Sequence, residues 1–247
     1  MKNLMSVLSS VVSSLALILF FSQVSWANNP EPISLSVVAF SGLKIRSTPG
    51  VEGKVLDVAA FGEKVQILEQ SELKETIEWV TGKWIKVSYH NVEGYVFDGF
   101  LTNFPIPSYD FEMTQNDLDV SYPLLAWAEN NFDEIEDSDT IERANHNKII
   151  QYLENGILVT REDSDENFKS SLHLTDTKIS DAYNLVKTML LTKNERTVFE
   201  EKSVFISNKG EGIDRIKIDI DSPIDIKDLG DGNIKISVIS FHEGCGL

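Results

Sequence analysis

Residues 35–104 are written as short alternating runs cut apart by turn residues, and no other feature of the chain restricts its fold so tightly. Leu43 and Ile45 alternate with Lys44 and Arg46 until Ser47-Thr48-Pro49-Gly50 stops the run. The run "LSVVAF" precedes it, "KVLDVA" follows a turn at Glu52-Gly53, and "EKVQIL" follows Phe61-Gly62. In "KWIKVSY", Ile85, Val87 and Tyr89 oppose Trp84, Lys86 and Ser88, and "HNVEG" then turns the chain into "YVFDGFL". A period of two is the mark of a half-buried strand. Five or six such strands at regular spacing predict a small β-barrel, which removes sheet edges by curling the sheet on itself.

The order of these runs resembles the bacterial SH3 domain. "LKIRSTPG" is similar to the family's first motif, Leu-Asn-Val-Arg-Ser-Gly-Pro, after which a tight loop leads into the next barrel strand. "GKVLDVAAFGEKVQIL" is similar to the family's pair of strands around a Gly turn, with Gly62 at the turn. "KWIKVSYHNVEGYVFDGFL" is similar to the closing hairpin, with Trp84 opening one strand and Gly94-Tyr95-Val96 standing for Gly-Trp-Val. The resemblance covers residues from about 35 to 103. Lys44 replaces the usual Asn, Thr48 the usual Gly, and Lys83 precedes the Trp where Gly is common. Residues 69–83, "EQSELKETIEWVTGK", form a longer loop than the family's. The resemblance implies an SH3-like barrel that recognises peptides, either the short peptides of peptidoglycan or a protein partner.

Ahead of the barrel, residues 1–27 read as a secretory signal peptide. Lys2 gives the positive start, "VVSSLALILFF" the apolar core, and Ser25-Trp26-Ala27 the small residues before a cleavage site. The apolar run falls short of the roughly 20 residues of a membrane span; the alternative for the same residues is an uncleaved anchor. The expected localisation is exported, periplasmic or secreted, with membrane contact only transient and through the signal peptide. Cys245 is the one cysteine, so stability rests on ordinary cores rather than on disulfides.

Residues 105–120, stiffened by Pro105 and Pro107, read as a linker. Residues 121–247 then have an α+β pattern. "YPLLAWAENNFDEI" has helical spacing, Asn155-Gly156 turns a hairpin, and Ser180 is placed to cap a helix over "DAYNLVKTMLL". "FKSSLHLT", "TVFEEKSVFIS", "DRIKIDI", "IDIKDL" and "NIKISVISF" read as strands, and residues 129–142 as an acidic run. The fold class expected is mainly β: a small SH3-like barrel over 33–104, then an α+β domain with an antiparallel sheet.

Charge excludes some partners. The chain carries 22 Lys and Arg against 39 Asp and Glu, a net of −17. Residues 33–104 are nearly neutral, with 7 basic and 9 acidic residues, whereas residues 105–247 carry 14 and 29. Such a surface repels nucleic-acid phosphates and anionic lipid head groups, so nucleic acid is not expected as a partner.

No catalytic constellation stands out. His90, His146, His173 and His242 form no His-Glu-x-x-His pair. His242-Glu243-Gly244-Cys245 is the one close His/Cys grouping, and its order does not match a peptidase with Cys before His. Asp219, Asp221, Asp225, Asp228 and Asp231 lack the spacing of a calcium loop, and Asp231-Gly232 is better read as a hairpin turn. No metal and no cofactor is expected.

The aromatics of the barrel carry the binding expectation. Trp84 and Tyr89 read as core. Trp79, in the long polar loop, together with Tyr95 and Phe97, are the ligand-binding residues expected. The function expected is non-catalytic binding of a peptide or protein ligand of the cell envelope, peptidoglycan among the candidates. The alternative is an envelope hydrolase with its active site in residues 121–247 and the barrel as targeting module.

Overall fold

The computed structural model describes residues 32–107, 121–190, 192–207 and 212–241. Seven strands build the first sheet: β1 (Ser34–Val37), β2 (Leu43–Arg46), β3 (Val55–Ala59), β4 (Lys64–Ile77), β5 (Val80–Tyr89), β6 (Val92–Phe97) and β7 (Leu101–Thr102). They are antiparallel in the order β3-β2-β6-β5-β4-β1-β7. Two-residue periodicity sends Val37, Ile45, Val65, Ile85, Val87 and Val96 inward to one core. At the β5–β6 turn, His90 and Asn91 both take positive φ, 47° and 66°, the twist that a two-residue hairpin requires. Gly94 follows because β2 runs too close for a side chain. A Cβ there would lie 2.6 Å from Ile45 Cγ2 and 2.7 Å from the Arg46 carbonyl oxygen.

The expected loop at 69–83 is instead the outer part of the β4–β5 hairpin, which turns at Glu78-Trp79 with Glu78 at φ 57°. Register shifts at Ile67/Glu69 and Gln70/Lys74 break the alternation that would have revealed the strands. Most of β4 beyond Ile67 is solvent-exposed, with Ser71, Glu75 and Ile77 half-buried, so neither face carries a continuous apolar pattern.

Eight strands build the second sheet: β8 (Glu134–Arg143), β9 (His146–Leu153), β10 (Leu158–Ser164), β11 (Asn167–Leu174), β12 (Ser203–Ile206), β13 (Arg215–Ile218), β14 (Ile224–Gly230) and β15 (Asn233–Phe241). Their order is β12-β13-β14-β15-β11-β10-β9-β8, all antiparallel. Helices α1 (Ser121–Asn131), α2 (Ile179–Thr188) and α3 (Lys193–Glu201) accompany it. Leu124, Trp127, Tyr183, Val186 and Phe199 meet Leu172, Ile216, Ile226 and Ile236 in one large core. Asn155 and Gly156 turn the β9–β10 hairpin at φ 58° and 69°, and Asp231-Gly232 turn β14 into β15, as expected. The chain is thus mainly β, with a curled SH3-like sheet followed by an α+β part.

Three local expectations are corrected. The acidic run at 129–142 contains a full strand, β8, exposed along its whole length and paired with β9 alone. The "strand" at 197–207 is half helix, because Thr192 accepts from the Glu195 amide while Glu195 caps Thr192, closing the first turn of α3 reciprocally. Ser180 is not the cap of α2; Lys178 takes that place, and Ser180 is buried inside the first turn.

Residues 1–27, 108–120 and the His242–Cys245 grouping lie outside the described residues. The start of the expected linker is packed against the second part: the Trp127 indole donates to the Pro105 carbonyl at 2.9 Å, and Phe104 meets Trp127 edge-on. Residues Ile33–Leu247 group as a single unit.

Candidate functional site

Among the described residues, the barrel meets the second part at several places, and a cleft lies between them. At the tip of the β4–β5 hairpin, Trp79 packs on Phe205 of β12 and edge-on against Tyr183 of α2, with centroids 4.6 and 5.1 Å away. From the β1–β2 connection, Phe40 stacks on Phe61 at 4.5 Å and receives the Arg196 guanidinium of α3 at 4.1 Å, a cation–π contact. Beside the barrel's last strand, Asp98 accepts from the Lys83 amide at 2.6 Å and pairs with Lys178 at 3.6 Å. Phe104 and Pro105 meet α1 as described.

The cleft has a volume of about 510 Å³. Its floor is aromatic: Trp84, Phe97 and Phe100. Trp84 and Phe97 are almost wholly buried and tilt against each other, and Phe100 meets Phe97 edge-on. The Trp84 indole is fixed by Glu75, which accepts its N–H. Opposite, α2 supplies Asn184 and Lys187, and α3 supplies Glu200.

Charge at the cleft runs against that of the chain. Lys44, Arg46 and Lys187 border it, against Glu78 and Glu200. Lys187 is paired with Glu200, and Arg46 donates to the Gly53 carbonyl at 2.7 Å. Lys44 is exposed, and no ion pair holds it among the described residues. The Asn184 Nδ2 group is buried without a hydrogen-bond partner. Such a group costs free energy unless something accepts from it. An apolar floor with a few polar groups on its rim suits an extended peptide.

Two buried ionisable groups sit near this junction. Burial pushes the Asp181 carboxyl up to about 6, against the opposing pull of Lys178. Burial likewise pushes the Tyr183 hydroxyl up to about 12, with Ser203 Oγ 3.3 Å away.

Of the three residues expected to bind, Phe97 borders the cleft as part of its floor. Trp79 is half-buried in the contact between the two parts, not on a free loop. Tyr95 is half-buried on β6, packed against the Val80, Trp84 and Phe97 cluster. The sequence reading missed Phe40, Asn184 and Lys187. Nothing local marks them, because the cleft joins barrel residues between Val38 and Phe100 to helix residues between Asn184 and Glu200, far along the chain. Lys44 did carry a signal, as a charged residue where the family motif has Asn.

A second hollow of about 430 Å³ lies between Asn103–Pro105 and Phe132, Asn155, Ile157, Thr175 and Asp176, and it brings no acid and base together. Among the described residues, no three His, Cys, Asp or Glu side chains converge as metal ligands. Two acids of the β13–β15 region have structural roles: Asp225 takes a bidentate bond from Arg215, at 2.7 and 2.6 Å, and Asp228 accepts from the Gly230 amide.

Comparison with known proteins adds one result. No curated protein and no solved structure matches the chain. The family model described as "Bacterial SH3 domain" matches residues 41–102, which span the barrel from the β1–β2 connection to β7. The motif order, the strand order and this match agree, and the barrel is a bacterial SH3 domain.

Proposed function

We propose that the protein is a non-catalytic binding protein of the cell envelope, which receives an extended peptide in the cleft between its SH3 barrel and helices α2 and α3. The observation that carries this reading is the cleft itself: an aromatic floor from the barrel, faced by polar groups from the second part. Bacterial SH3 domains are commonly binding modules, and the resemblance points to peptidoglycan peptides or a protein partner. The signal-peptide features of residues 1–27 support export. Among the described residues, no helix is long and apolar enough to cross a membrane.

Lys44, exposed and held by no ion pair among the described residues, favours a peptide with a carboxylate, and such groups abound in peptidoglycan stem peptides. The test is co-sedimentation of the full chain with purified sacculi, beside titration with soluble stem peptides. Lys44→Glu, a change at an exposed site, is expected to weaken binding at least fivefold and leave the circular dichroism spectrum unchanged. Equal binding by the variant would overturn the cleft as the site.

A further inference from the structure

The second sheet has two faces of opposite character. One packs against the helices through Leu172, Ile216, Ile226, Ile236 and their neighbours. On the other, strand pairing aligns Arg215, Lys227, Lys235 and His173 directly across β13, β14, β15 and β11. One step along, Lys217, Asp225, Ser237, Ser171 and Thr160 form a second row. A third row holds Lys169 of β11, Glu162 of β10 and Lys148 of β9. Six Lys and Arg thus share this face of β9–β11 and β13–β15 with two acids, in a chain whose net charge is −17.

Both acids are committed. Asp225 is gripped by Arg215, and Glu162 lies 3.3 Å from Lys148 and 4.0 Å from Lys169. Lys227 and Lys235 stand directly opposite each other, an arrangement that destabilises a sheet. Beneath the lysines lies a floor of small hydroxyl groups. Ser171, Ser237 and Thr160 are buried, and the two serine hydroxyls are 3.1 Å apart. Burial, together with Lys169 and Lys148, holds the Lys235 ammonium below its ordinary range despite Glu162. Burial, then Lys235 and Lys148, hold the His173 ring low as well.

We propose that this face is an anion-binding site, where Lys148 and Lys169, which converge on Glu162, hold a compact phosphate-bearing ligand together with Lys235 of the strand beside Lys169. Two features select that class. The cations here are three lysines that share one acid, Glu162, so the group keeps a net positive charge; they are point charges suited to tetrahedral phosphate, whereas the Arg that would favour a planar carboxylate is taken by Asp225. The rest of the chain is acidic and repels long polyanions, so a small ligand of high charge density gains most from the local field. The site uses none of the residues of the peptide cleft.

The test uses the full chain with inorganic pyrophosphate, against citrate and sodium chloride at equal ionic strength. Titration calorimetry is expected to show saturable pyrophosphate binding, with citrate at least tenfold weaker. The His173 ring titration, followed by NMR, is expected to move upward by about one pH unit when pyrophosphate is bound. The double variant Lys169→Gln, Lys235→Gln is expected to lose at least tenfold in affinity while keeping the parent's circular dichroism spectrum; Lys54→Gln, on the barrel, should bind as the parent does. The proposal is overturned if pyrophosphate acts no differently from chloride, if citrate binds equally well, or if the double variant keeps its affinity.

Discussion

Asp181 is the residue whose environment most shapes the response to pH. Its folded-state value of about 6, against an ordinary 3.8, means that the folded chain holds this proton more tightly than the unfolded chain. Its contribution therefore favours folding at low pH. It is lost as pH rises from about 4 to about 6, at a cost of about 3 kcal/mol above that window. Asp181→Asn should flatten this part of the stability profile, and chemical denaturation at pH 4.5 and pH 7.5 measures it. A larger gain for the variant at pH 7.5 is the expected outcome. A gain that is equal or larger at pH 4.5 would show that burial does not raise this carboxyl. Trp84, read from sequence as core, is buried as expected, and Trp84→Ala should cost about 3–5 kcal/mol. Gly94→Ala should cost about 1–3 kcal/mol by forcing β2 away from β6; an unchanged melting temperature would contradict the close approach.

At the scale of elements, what could be read in the sequence follows a simple physical division. Strands buried on one face kept their alternation, so β2, β5, β13 and β15 were legible, as were the turns at Asn155-Gly156 and Asp231-Gly232. Elements whose stability comes from elsewhere were not. β8 is exposed throughout and carries no apolar pattern, so it read as an acidic tract. The outer β4–β5 hairpin is polar and bulged, so it read as a loop. Helix α3 presents Val198-Phe199 as a strand would, and the reciprocal cap at Thr192 and Glu195 was the stronger signal. Thr192→Ala should cost about 1 kcal/mol, read as a lowered denaturation midpoint. The site was legible in part: Phe97 came from its place in the barrel, but its facing residues depend on long-range packing. Trp79 shows the converse, since an aromatic on a polar turn suggested exposure and the structure covers it with Tyr183 and Phe205. Trp79→Ala should therefore loosen the hairpin tip, costing about 2 kcal/mol, less than a fully buried tryptophan would.

For the whole molecule, the contacts at Trp79, Phe40, Asp98 and Pro105 make the barrel and the α+β part depend on each other. A ligand held in the cleft between them touches both parts at once. The most direct measurement is amide and side-chain NMR of the full chain titrated with peptidoglycan stem peptides. Saturable shifts are expected on both walls together, at Lys44 and Phe100 on the barrel and at Asn184 and Lys187 on α2. Shifts confined to the barrel's outer surface, or no shift with any stem peptide, would contradict binding in the cleft.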